Sequence, residues 1–533
     1  MVKIFDSHAH ELTGGTVWDL LVIGGGATGL GVAVQAALEG RQVALVEARD
    51  FASGTSSRST KLLHGGVRYL AQGRLRLVRE ALRERAIVMK LAPHLAQPMS
   101  FVVPGQGWWS WVWMGLGLKA YQWLSGRLSL GATVALSRAA LARCLPGIPG
   151  AVAGMRYWDG QFEDARLALA LAKTARAAGA SVHNHMKVMA VRRAQPLWQL
   201  ELEDGRTGQT WTVQTRCLVN ATGVWVDGLR RMALQAGGAD DDASVQPLVS
   251  TSQGVHVVVS RDRLPIDEAV LIPKTADGRV LFAVPWLGAT VIGTTDTPRQ
   301  DAPLEPLPFK EELDFIFRET RQALGVQLSR SDVRSVWVGL RPLVGHAAGT
   351  ATSQMSREHL IERDAPGFFT ITGGKWTTYR SMAAELMQAM VACSDLPAAP
   401  DGPGDTAHHL LTGASGALGA SQVTSKVVHS LHDAPGLHLW GTEADAVLRL
   451  PGAQRDLGMG LTEAMVRFAA RSEWAVTVED MLARRWRALF LDAREAARMA
   501  PSVAAVLREE TGLDPQLEAF LRLSQQYQLS VDD

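Results

Sequence analysis

Cysteine is scarce in this sequence. Only Cys144, Cys217 and Cys393 occur in its 533 residues. They lie far apart and outside any CxxC or Cys/His spacing that is typical of a metal site. The cysteine pattern therefore argues against a disulfide framework and against structural zinc, and a reducing cytoplasm is the expected compartment.

An excess of charge of one sign is also missing. The chain has 54 Lys and Arg residues against 53 Asp and Glu residues, a net charge of +1. A nearly neutral protein has no overall field that would attract a polyanion, so no nucleic-acid partner is expected. Any anion must instead bind to a local cluster of cations.

The chain lacks an apolar run long enough to span a bilayer. Residues 1–16 contain no continuous apolar segment, so no signal peptide is expected. The most apolar stretch, Trp108 to Leu124, is shorter than the roughly 20 residues of a spanning helix, and it includes Lys119. Its aromatic side chains suit either a membrane interface or packing inside a cap domain.

The N-terminal part of the chain has the pattern of a strand, a tight turn and a helix. Trp18 to Ile23 is an apolar run that leads into Gly24-Gly25-Gly26-Ala27-Thr28-Gly29, and an Ala- and Val-rich stretch follows as far as Gly40. Gln42 to Val46 is a second short apolar run that ends at Glu47. The pattern predicts a βαβ unit with a parallel sheet.

This unit predicts a dinucleotide site. Glycines at 24, 26 and 29 permit the turn, the close approach of a pyrophosphate and helix–sheet packing, while the helix N-terminus at Ala27 and Thr28 attracts the phosphates. Glu47 is placed to accept the two hydroxyls of an adenosine ribose, and its charge disfavours a 2′-phosphate.

Loops from distant parts of the sequence decide which dinucleotide binds. A hydroxyl-rich segment at residues 55–61 runs into His64-Gly65-Gly66, and Ala221-Thr222-Gly223 and Gly373-Gly374-Lys375 each follow an apolar run. One cofactor that contacts all of these loops must be long, which favours FAD over NAD. The predicted cofactor contacts are Gly24, Gly26, Ala27, Thr28, Gly29, Glu47, Thr55, Ser56, Ser57, Lys61, His64, Gly65, Gly66, Val188, Ala221, Thr222, Gly223, Gly374, Lys375 and Thr377.

The order of these patterns predicts three domains. The first is an α/β FAD-binding Rossmann-like domain of the glutathione-reductase type, assembled from residues 16–95, 158–245 and 350–395. Residues 96–157 and 246–349 form an interleaved, mainly antiparallel β domain for the substrate. A Pro/Gly linker precedes an all-α C-terminal domain at 404–527, in which Arg484, Arg485 and Arg487 are expected on a solvated helix face.

Five segments of the sequence resemble the FAD-dependent glycerol-3-phosphate dehydrogenases of the aerobic, quinone-linked type. The resemblance extends from about residue 19 to residue 509, and the family's helical domain is similar to residues 479–485. This sequence departs from the family pattern at two places. It has Gln253-Gly254-Val255-His256 where Lys-Gly-Ser-His is common in the family, and Trp376 where Leu is common. The five segments are 55–69, 220–225, 284–286 together with 292–296, 339–343 and 373–380.

The resemblance implies a substrate and a path for electrons. It implies that sn-glycerol 3-phosphate is oxidised to dihydroxyacetone phosphate, with the electrons passed from FAD to a quinone. It also implies a peripheral position on the inner face of the cytoplasmic membrane. We further expect a homodimer, although no motif determines the oligomeric state.

The same resemblance implies a phosphate pocket formed by Arg68, Arg341 and Lys375, with Tyr69 beside them. A phosphate carrying about −1.5 to −2 charges needs more than one cation when it is buried. Removal of hydride from C2 also requires a base for the hydroxyl proton. His256 and His64 are the candidates, and His256 and Arg341 are the predicted catalytic residues.

Three alternatives remain open at the level of sequence. The first is an oxidase of the same fold that uses O₂ as electron acceptor. The second is an amino-acid or hydroxy-acid oxidoreductase that uses one arginine for a carboxylate. The third is a non-catalytic flavin-binding or assembly protein whose C-terminal helices bind a partner.

Overall fold

A computed structural model describes residues 12, 15–66, 70, 73–105, 108–145, 148–149, 153–235, 245–273, 275, 279–345, 358–415 and 430–530, with the backbone alone for 108–110. The strands are β1 Val17–Ile23, β2 Val43–Val46, β3 Leu62–Leu63, β4 Ala96–Gly105, β5 Val134–Ser137, β6 Ala153–Phe162, β7 Ser181–His183, β8 Met186–Ala194, β9 Leu197–Asp204, β10 Thr210–Asn220, β11 Val249–Ser260, β12 Ala269–Ile272, β13 Leu281–Trp286, β14 Ala289–Gly293, β15 Thr297–Arg299, β16 Val333–Val344, β17 His359–Ala365 and β18 Phe368–Gly373.

The α-helices alternate with these strands in the first three quarters of the chain and dominate the last quarter. They are α1 Ala27–Leu38, α2 Leu75–Leu91, α3 Trp108–Ser125, α4 Arg138–Cys144, α5 Asp164–Ala177, α6 Val226–Gln235, α7 Lys310–Leu324, α8 Tyr379–Ala392, α9 Ala444–Leu448, α10 Glu463–Ser472, α11 Ala488–Leu491, α12 Ala493–Thr511 and α13 Leu517–Gln526.

The first sheet has a parallel centre, as the βαβ pattern predicts. Its strands run in the order β17-β18-β10-β1-β2-β7, and the five from β18 to β7 are parallel. Most of their side chains are buried because helices pack over the sheet, with α1 against β1 and β2, α5 against β7, and α6 against β10 and β18. The carboxyl ends of β1, β10 and β18 meet at one edge, and the glycine loops follow directly from those ends.

The second sheet is mainly antiparallel, as expected for the substrate domain. Its strands run in the order β15-β11-β14-β13-β12-β4-β6-β3, with β16 paired to β11 and β5 paired to β6. Only the β12–β4 pair is parallel among the strand pairs of this sheet that the structure describes. Strand β6 crosses the predicted domain boundary between residues 157 and 158, and it pairs with β4 along its whole length. The division into three domains otherwise stays a prediction.

The C-terminal segment is helical and packs onto the first sheet through a common apolar core. Leu20 and Phe51 belong to the same buried cluster as Trp486 and Phe490. Helix α12 is capped at its N-terminus by Asp492, whose side chain accepts a hydrogen bond from the Glu495 N–H, and the left-handed Gly512 follows its C-terminus. None of the helices that the structure describes is both long enough and apolar enough to cross a membrane.

The prediction of a solvated face for Arg484, Arg485 and Arg487 is wrong. All three are buried, the last two completely. Arg484 and Arg485 form ion pairs with the buried carboxylate of Asp50, and Arg487 pairs with Glu163. These carboxylates belong to the N-terminal half of the chain, so the basic run joins the helical segment to the α/β part.

Candidate active site

One large cavity of about 1130 Å³ lies between the two sheets. It extends from Glu47 and Arg49, past the first glycine turn, to His256 and Arg341. Most of the predicted site residues line it together, although they come from distant parts of the chain. The predicted residues in the lining are Gly24, Gly26, Ala27, Thr28, Glu47, Thr55, Ser56, His64, Gly66, Ala221, Thr222, Gly223, His256, Arg341, Gly374, Lys375 and Thr377.

The first glycine turn forms one end of the cavity. Gly24 has φ 115°, and a Cβ there would lie 2.5 Å from the Ala221 carbonyl oxygen, so only glycine fits where β1 and β10 end side by side. A Cβ on Gly29 would lie 1.9 Å from the Gly24 carbonyl oxygen, which accounts for the close helix–strand packing. Helix α1 begins at Ala27 with no acid in its first turn, so its positive end suits a diphosphate.

Glu47 is positioned at this end by two backbone donors. Its Oε2 accepts a hydrogen bond from the Gly25 N–H at 2.7 Å, and its Oε1 accepts one from the Arg49 N–H at 2.9 Å. Burial raises the pKa of Glu47, and these two bonds oppose that rise. Each carboxylate oxygen still has a lone pair for a ribose hydroxyl.

The loop at residues 53–61 is held from three sides. Ser56 Oγ accepts a hydrogen bond from the Ala27 N–H at 2.9 Å, and Thr55 Oγ1 donates one to the Leu340 carbonyl at 2.6 Å. The Trp376 indole N–H donates to the Ser56 carbonyl at 2.7 Å. The loop therefore connects the dinucleotide turn, the second sheet and the Gly-Gly-Lys segment that carries Lys375.

His256 lies at the other end of the cavity, on β11. Its ring stacks on Trp337, its cross-strand neighbour on β16, with a centroid distance of 4.1 Å. A Cβ on Gly293, the neighbour on β14, would lie 2.5 Å from His256 Cδ2, so the glycine leaves room for the ring. His256 Nε2 is 3.0 Å from Thr60 Oγ1, and its buried Nδ1 has no hydrogen-bond partner among the described residues.

The imidazole of His256 is held in its neutral form. Burial lowers its pKa well below the usual value of 6.5, and the positive charges of Arg341 and Lys61 lower it further. A neutral imidazole whose Nδ1 has no hydrogen-bond partner among the described residues is able to accept a proton from a bound molecule.

Arg341 reaches the same face of the second sheet from β16. A side chain on Gly254 would collide with Arg341 Nη2, so this glycine allows the guanidinium to lie across β11, two residues from His256. The Nη2 group donates to Thr294 Oγ1 at 2.9 Å, and Nη1 donates to the Thr295 carbonyl at 3.1 Å. An ion pair with Asp296 at 3.3 Å completes its orientation.

Lys375 reaches the cavity from the end of β18. Gly373 and Gly374, which precede it, have φ angles of 74° and 69°, a conformation that other residues rarely adopt. A short helical turn follows, and both Lys375 and Thr377 line the cavity. Arg341 and Lys375 thus come to one cavity from different sheets.

Lys61 does not take the expected place beside the cofactor. Its side chain is fully buried and outside the cavity lining, and its ammonium donates to Asp164 at 2.7 Å and to the Ser57 carbonyl at 2.8 Å. Burial lowers the pKa of Lys61 to about 8, against the opposing effect of Asp164. The ammonium also lies 4.7 Å from the centre of the Trp337 ring, so Lys61 supports the stack on which His256 rests.

The remaining predicted residues do not line the cavity. Gly29 is buried beneath the first turn, Ser57 and Gly65 are buried in the wall, and Lys187 rather than Val188 reaches the lining. Arg68 and Tyr69 lie outside the described residues.

Several residues of this site were missed from the sequence. Thr60 and Trp337 contact the imidazole, Asp296 pairs with Arg341, and Arg279 is a further cation in the lining. The register that places Trp337 beside His256 depends on the pairing of β11 with β16, two segments about 80 residues apart, and no local pattern in the sequence determines that register.

Known proteins resemble this chain over most of its length. The family of FAD dependent oxidoreductases matches residues 19–388, and the C-terminal domain of alpha-glycerophosphate oxidase matches residues 369–518. The chain is 35% identical to the mitochondrial glycerol-3-phosphate dehydrogenase of Homo sapiens, over 93% of this chain and 71% of that protein. It is 36% identical to the enzyme of Arabidopsis thaliana, over 92% of this chain and 82% of that one.

Solved structures show the same relationship. The glycerol-3-phosphate dehydrogenase of Bacillus halodurans, determined with FAD bound, superposes with a TM-score of 0.74 at 29% identity, over 98% of this chain and 96% of that chain. L-alpha-glycerophosphate oxidase from Mycoplasma pneumoniae superposes with a TM-score of 0.54 at 17% identity, over 70% of this chain and 94% of that chain, which shows a shared fold alone.

Proposed function

Because this chain belongs to the family of FAD-dependent glycerol-3-phosphate dehydrogenases, we propose that it oxidises sn-glycerol 3-phosphate to dihydroxyacetone phosphate with FAD as cofactor. One observation carries this proposal. Arg341, Lys375 and His256 line the same cavity as the dinucleotide-binding turn at residues 24–29. Two cations suit a phosphate dianion, and a neutral imidazole suits the proton of an alcohol.

The residues of the cavity fit FAD along its length. Glu47 suits the ribose, the N-terminus of α1 suits the diphosphate, and the loop at residues 53–57 suits the path toward the ring system. When bound, FAD supplies the acceptor for the hydride that leaves C2 of the substrate.

The side chains of this protein would bind the alcohol and remove its proton. Arg341 and Lys375 hold the phosphate, joined by Arg68 as a third cation and by Tyr69. His256 accepts the C2 hydroxyl proton, while stacking on Trp337 and the contact with Thr60 fix the plane of its ring. The carbon thus loses a hydride and its hydroxyl loses a proton, which leaves the ketone of dihydroxyacetone phosphate.

Substitution of the two cations tests the substrate. Arg341→Ala and Lys375→Ala should each raise KM for sn-glycerol 3-phosphate about tenfold or more, because a charge-assisted hydrogen bond contributes about 1.5–3 kcal/mol. Arg334→Ala is the matched control, since Arg334 is an exposed cation on the same strand. If neither cavity variant raises KM above that of the control, the phosphate pocket is wrong.

For the acceptor, we propose a membrane quinone, and we place the enzyme as a homodimer on the inner face of the cytoplasmic membrane. An O₂-using oxidase shares the fold. If a quinone is the acceptor, the enzyme should reduce a soluble quinone analogue rapidly with sn-glycerol 3-phosphate in the absence of air. In air it should release little peroxide. Strong peroxide production without quinone reduction would contradict this acceptor and leave the substrate assignment intact.

A further inference from the structure

The ammonium of Lys61 lies in a closed, mainly aromatic enclosure. It is 4.7 Å from the centre of the Trp337 ring, 5.0 Å from that of Trp286 and 5.6 Å from that of Phe490. Lys61 and all three aromatic side chains are buried. A lysine is almost never buried to this extent unless it is paired, because its charge loses hydration. A methionine would fill the same space without that cost, so the positive charge itself needs an explanation.

The ions around Lys61 keep it charged. The ammonium donates hydrogen bonds to Asp164 Oδ2 at 2.7 Å and to the Ser57 carbonyl at 2.8 Å. The guanidinium of Arg487 lies 3.5 Å from the same aspartate and 3.2 Å from Glu163. Two buried cations thus face two buried carboxylates. The pKa of Lys61 stays at about 8 despite burial, so most of the ammonium is protonated at pH 7.

The Trp337 ring connects this buried charge to the cavity. The imidazole of His256 stacks on that ring at 4.1 Å, and the Lys61 ammonium lies 4.7 Å from its centre. The imidazole and the ammonium are therefore no more than about 9 Å apart. All three groups are buried, so water screens the interaction between the two charged forms only weakly.

The other groups that face His256 differ from Lys61 in one respect. The guanidinium of Arg341 also acts on the imidazole, but Asp296 pairs with it and it lines the cavity, where a bound phosphate would change its surroundings. Thr60 contributes an uncharged hydroxyl. Lys61 lies outside the cavity lining, and its ion partner is a buried aspartate. Its charge therefore stays the same when a substrate enters or a product leaves.

We propose that Lys61 is a positioning residue for the proton transfer, whose ammonium opposes a second positive charge on His256 and so makes the histidine release the proton that it accepts. The inference rests on the proposed function, in which C2 loses a hydride to FAD and the hydroxyl proton passes to His256. That proton has to reach solvent before the histidine serves as base again. Beside a fixed positive charge the imidazolium is the less stable form, so the proton leaves.

The pH profile of Lys61→Met tests the inference. The rate of anaerobic reduction of bound flavin by saturating sn-glycerol 3-phosphate is measured from about pH 8 to about pH 5. Without the ammonium the imidazolium is more stable, so the acid limb of the profile should move to higher pH by about one unit. At pH 8 the imidazole is neutral in both proteins, so the variant should react at the native rate. The FAD content of each protein is measured in the same samples.

The double variant K61M/D164N guards against a folding defect, because Lys61→Met alone leaves the buried carboxylate of Asp164 without its closest cation. Its acid limb should also move to higher pH. A second readout does not depend on turnover. The His256 ring signal in the NMR spectrum of the substrate-free holoenzyme, identified by its absence from His256→Asn, should titrate at higher pH in both Lys61 variants.

Lys173→Met is the matched control. The ammonium of Lys173 pairs with Glu443 and lies 5.0 Å from the centre of the Phe468 ring, but it is outside the cavity lining and has no contact with Trp337 or His256 among the described residues. Its acid limb should match that of the native enzyme.

A lower Tm in the Lys61 variants, with the acid limb and the His256 titration unchanged, would overturn the inference and leave Lys61 with a packing role alone. An equal loss of rate at every pH, again with an unchanged His256 titration, would overturn it too. If sn-glycerol 3-phosphate does not reduce the flavin of the native enzyme, the proposed function fails, and the NMR titration still shows whether Lys61 acts on His256.

Discussion

At the scale of single residues, His256 carries the sharpest prediction. Replacement of a general base lowers the rate by about 10²–10⁴-fold. His256→Asn should therefore slow the anaerobic reduction of bound flavin by sn-glycerol 3-phosphate to that extent while FAD content stays unchanged. The measurement is stopped-flow flavin absorbance after mixing with saturating substrate.

His94 offers a control for this substitution. It is a half-buried histidine outside the cavity lining, and burial lowers its pKa to about 3, so it too is neutral near pH 7. His94→Asn should reduce flavin at the native rate. Equal rates in the native enzyme and the His256 variant would show that another group accepts the proton.

The pH dependence follows from the lowered pKa of His256. In the folded protein this pKa lies well below 6.5, so the imidazole is already neutral at pH 6.5 and becomes protonated only in more acidic solution. The rate of flavin reduction at saturating substrate should therefore stay constant from about pH 8 down to about pH 6.5. A fall in rate centred near the ordinary histidine pKa would contradict this assignment.

A substitution of Arg341 provides a second test of the lowered pKa of His256. Its positive charge lowers the pKa of His256, so its removal should raise that pKa. In Arg341→Gln, the acid limb of the rate profile at saturating substrate should move to higher pH. An acid limb that stays in place would show that the guanidinium does not act on the titrating group.

At the scale of secondary-structure elements, Arg487 connects the C-terminal helices to the cofactor loop. Its guanidinium donates to the Ser57 carbonyl at 2.7 Å and pairs with Glu163 at 3.2 Å, with both ionic side chains fully buried. Removal of one partner of a buried ion pair costs about 3–5 kcal/mol. Arg487→Met should therefore lower the Tm clearly and weaken FAD retention, as measured by thermal melting and by flavin released on gel filtration.

Arg471→Met is the control in the same helical segment. Arg471 pairs with Glu510, but its side chain is 42% exposed, and such pairs contribute about 0–1 kcal/mol. If both variants have the same Tm as the native protein, the buried ion pair between Arg487 and Glu163 contributes nothing to stability.

The sequence predicted those elements whose backbone conformation only a few residue types can adopt. The turn at Gly24 needs positive φ and close approach of a carbonyl, so its glycines were informative. The burial of Arg487 could not be predicted, since its acidic partners lie more than 300 residues away and helical periodicity does not identify such partners. Lys61 was misplaced for the same reason, because Asp164 determines where its ammonium points.

At the scale of the whole molecule, the helical C-terminal segment and the α/β part share one core. Residues of β1 and α1 belong to the same buried cluster as residues of α10 to α12. A chain ending at the linker near Pro397 would expose that apolar surface to water. We expect such a truncated chain to aggregate on expression. Recovery of a soluble, flavin-containing fragment would show that the α/β part folds independently.

The most direct measurement of the central claim is anaerobic titration of the oxidised holoenzyme with candidate substrates, followed by flavin absorbance. sn-Glycerol 3-phosphate should bleach the flavin completely, whereas glycerol, lactate and amino acids should leave it oxidised, because they lack the phosphate that Arg341 and Lys375 are proposed to bind. Bleaching by lactate or an amino acid, with no response to sn-glycerol 3-phosphate, would contradict the account.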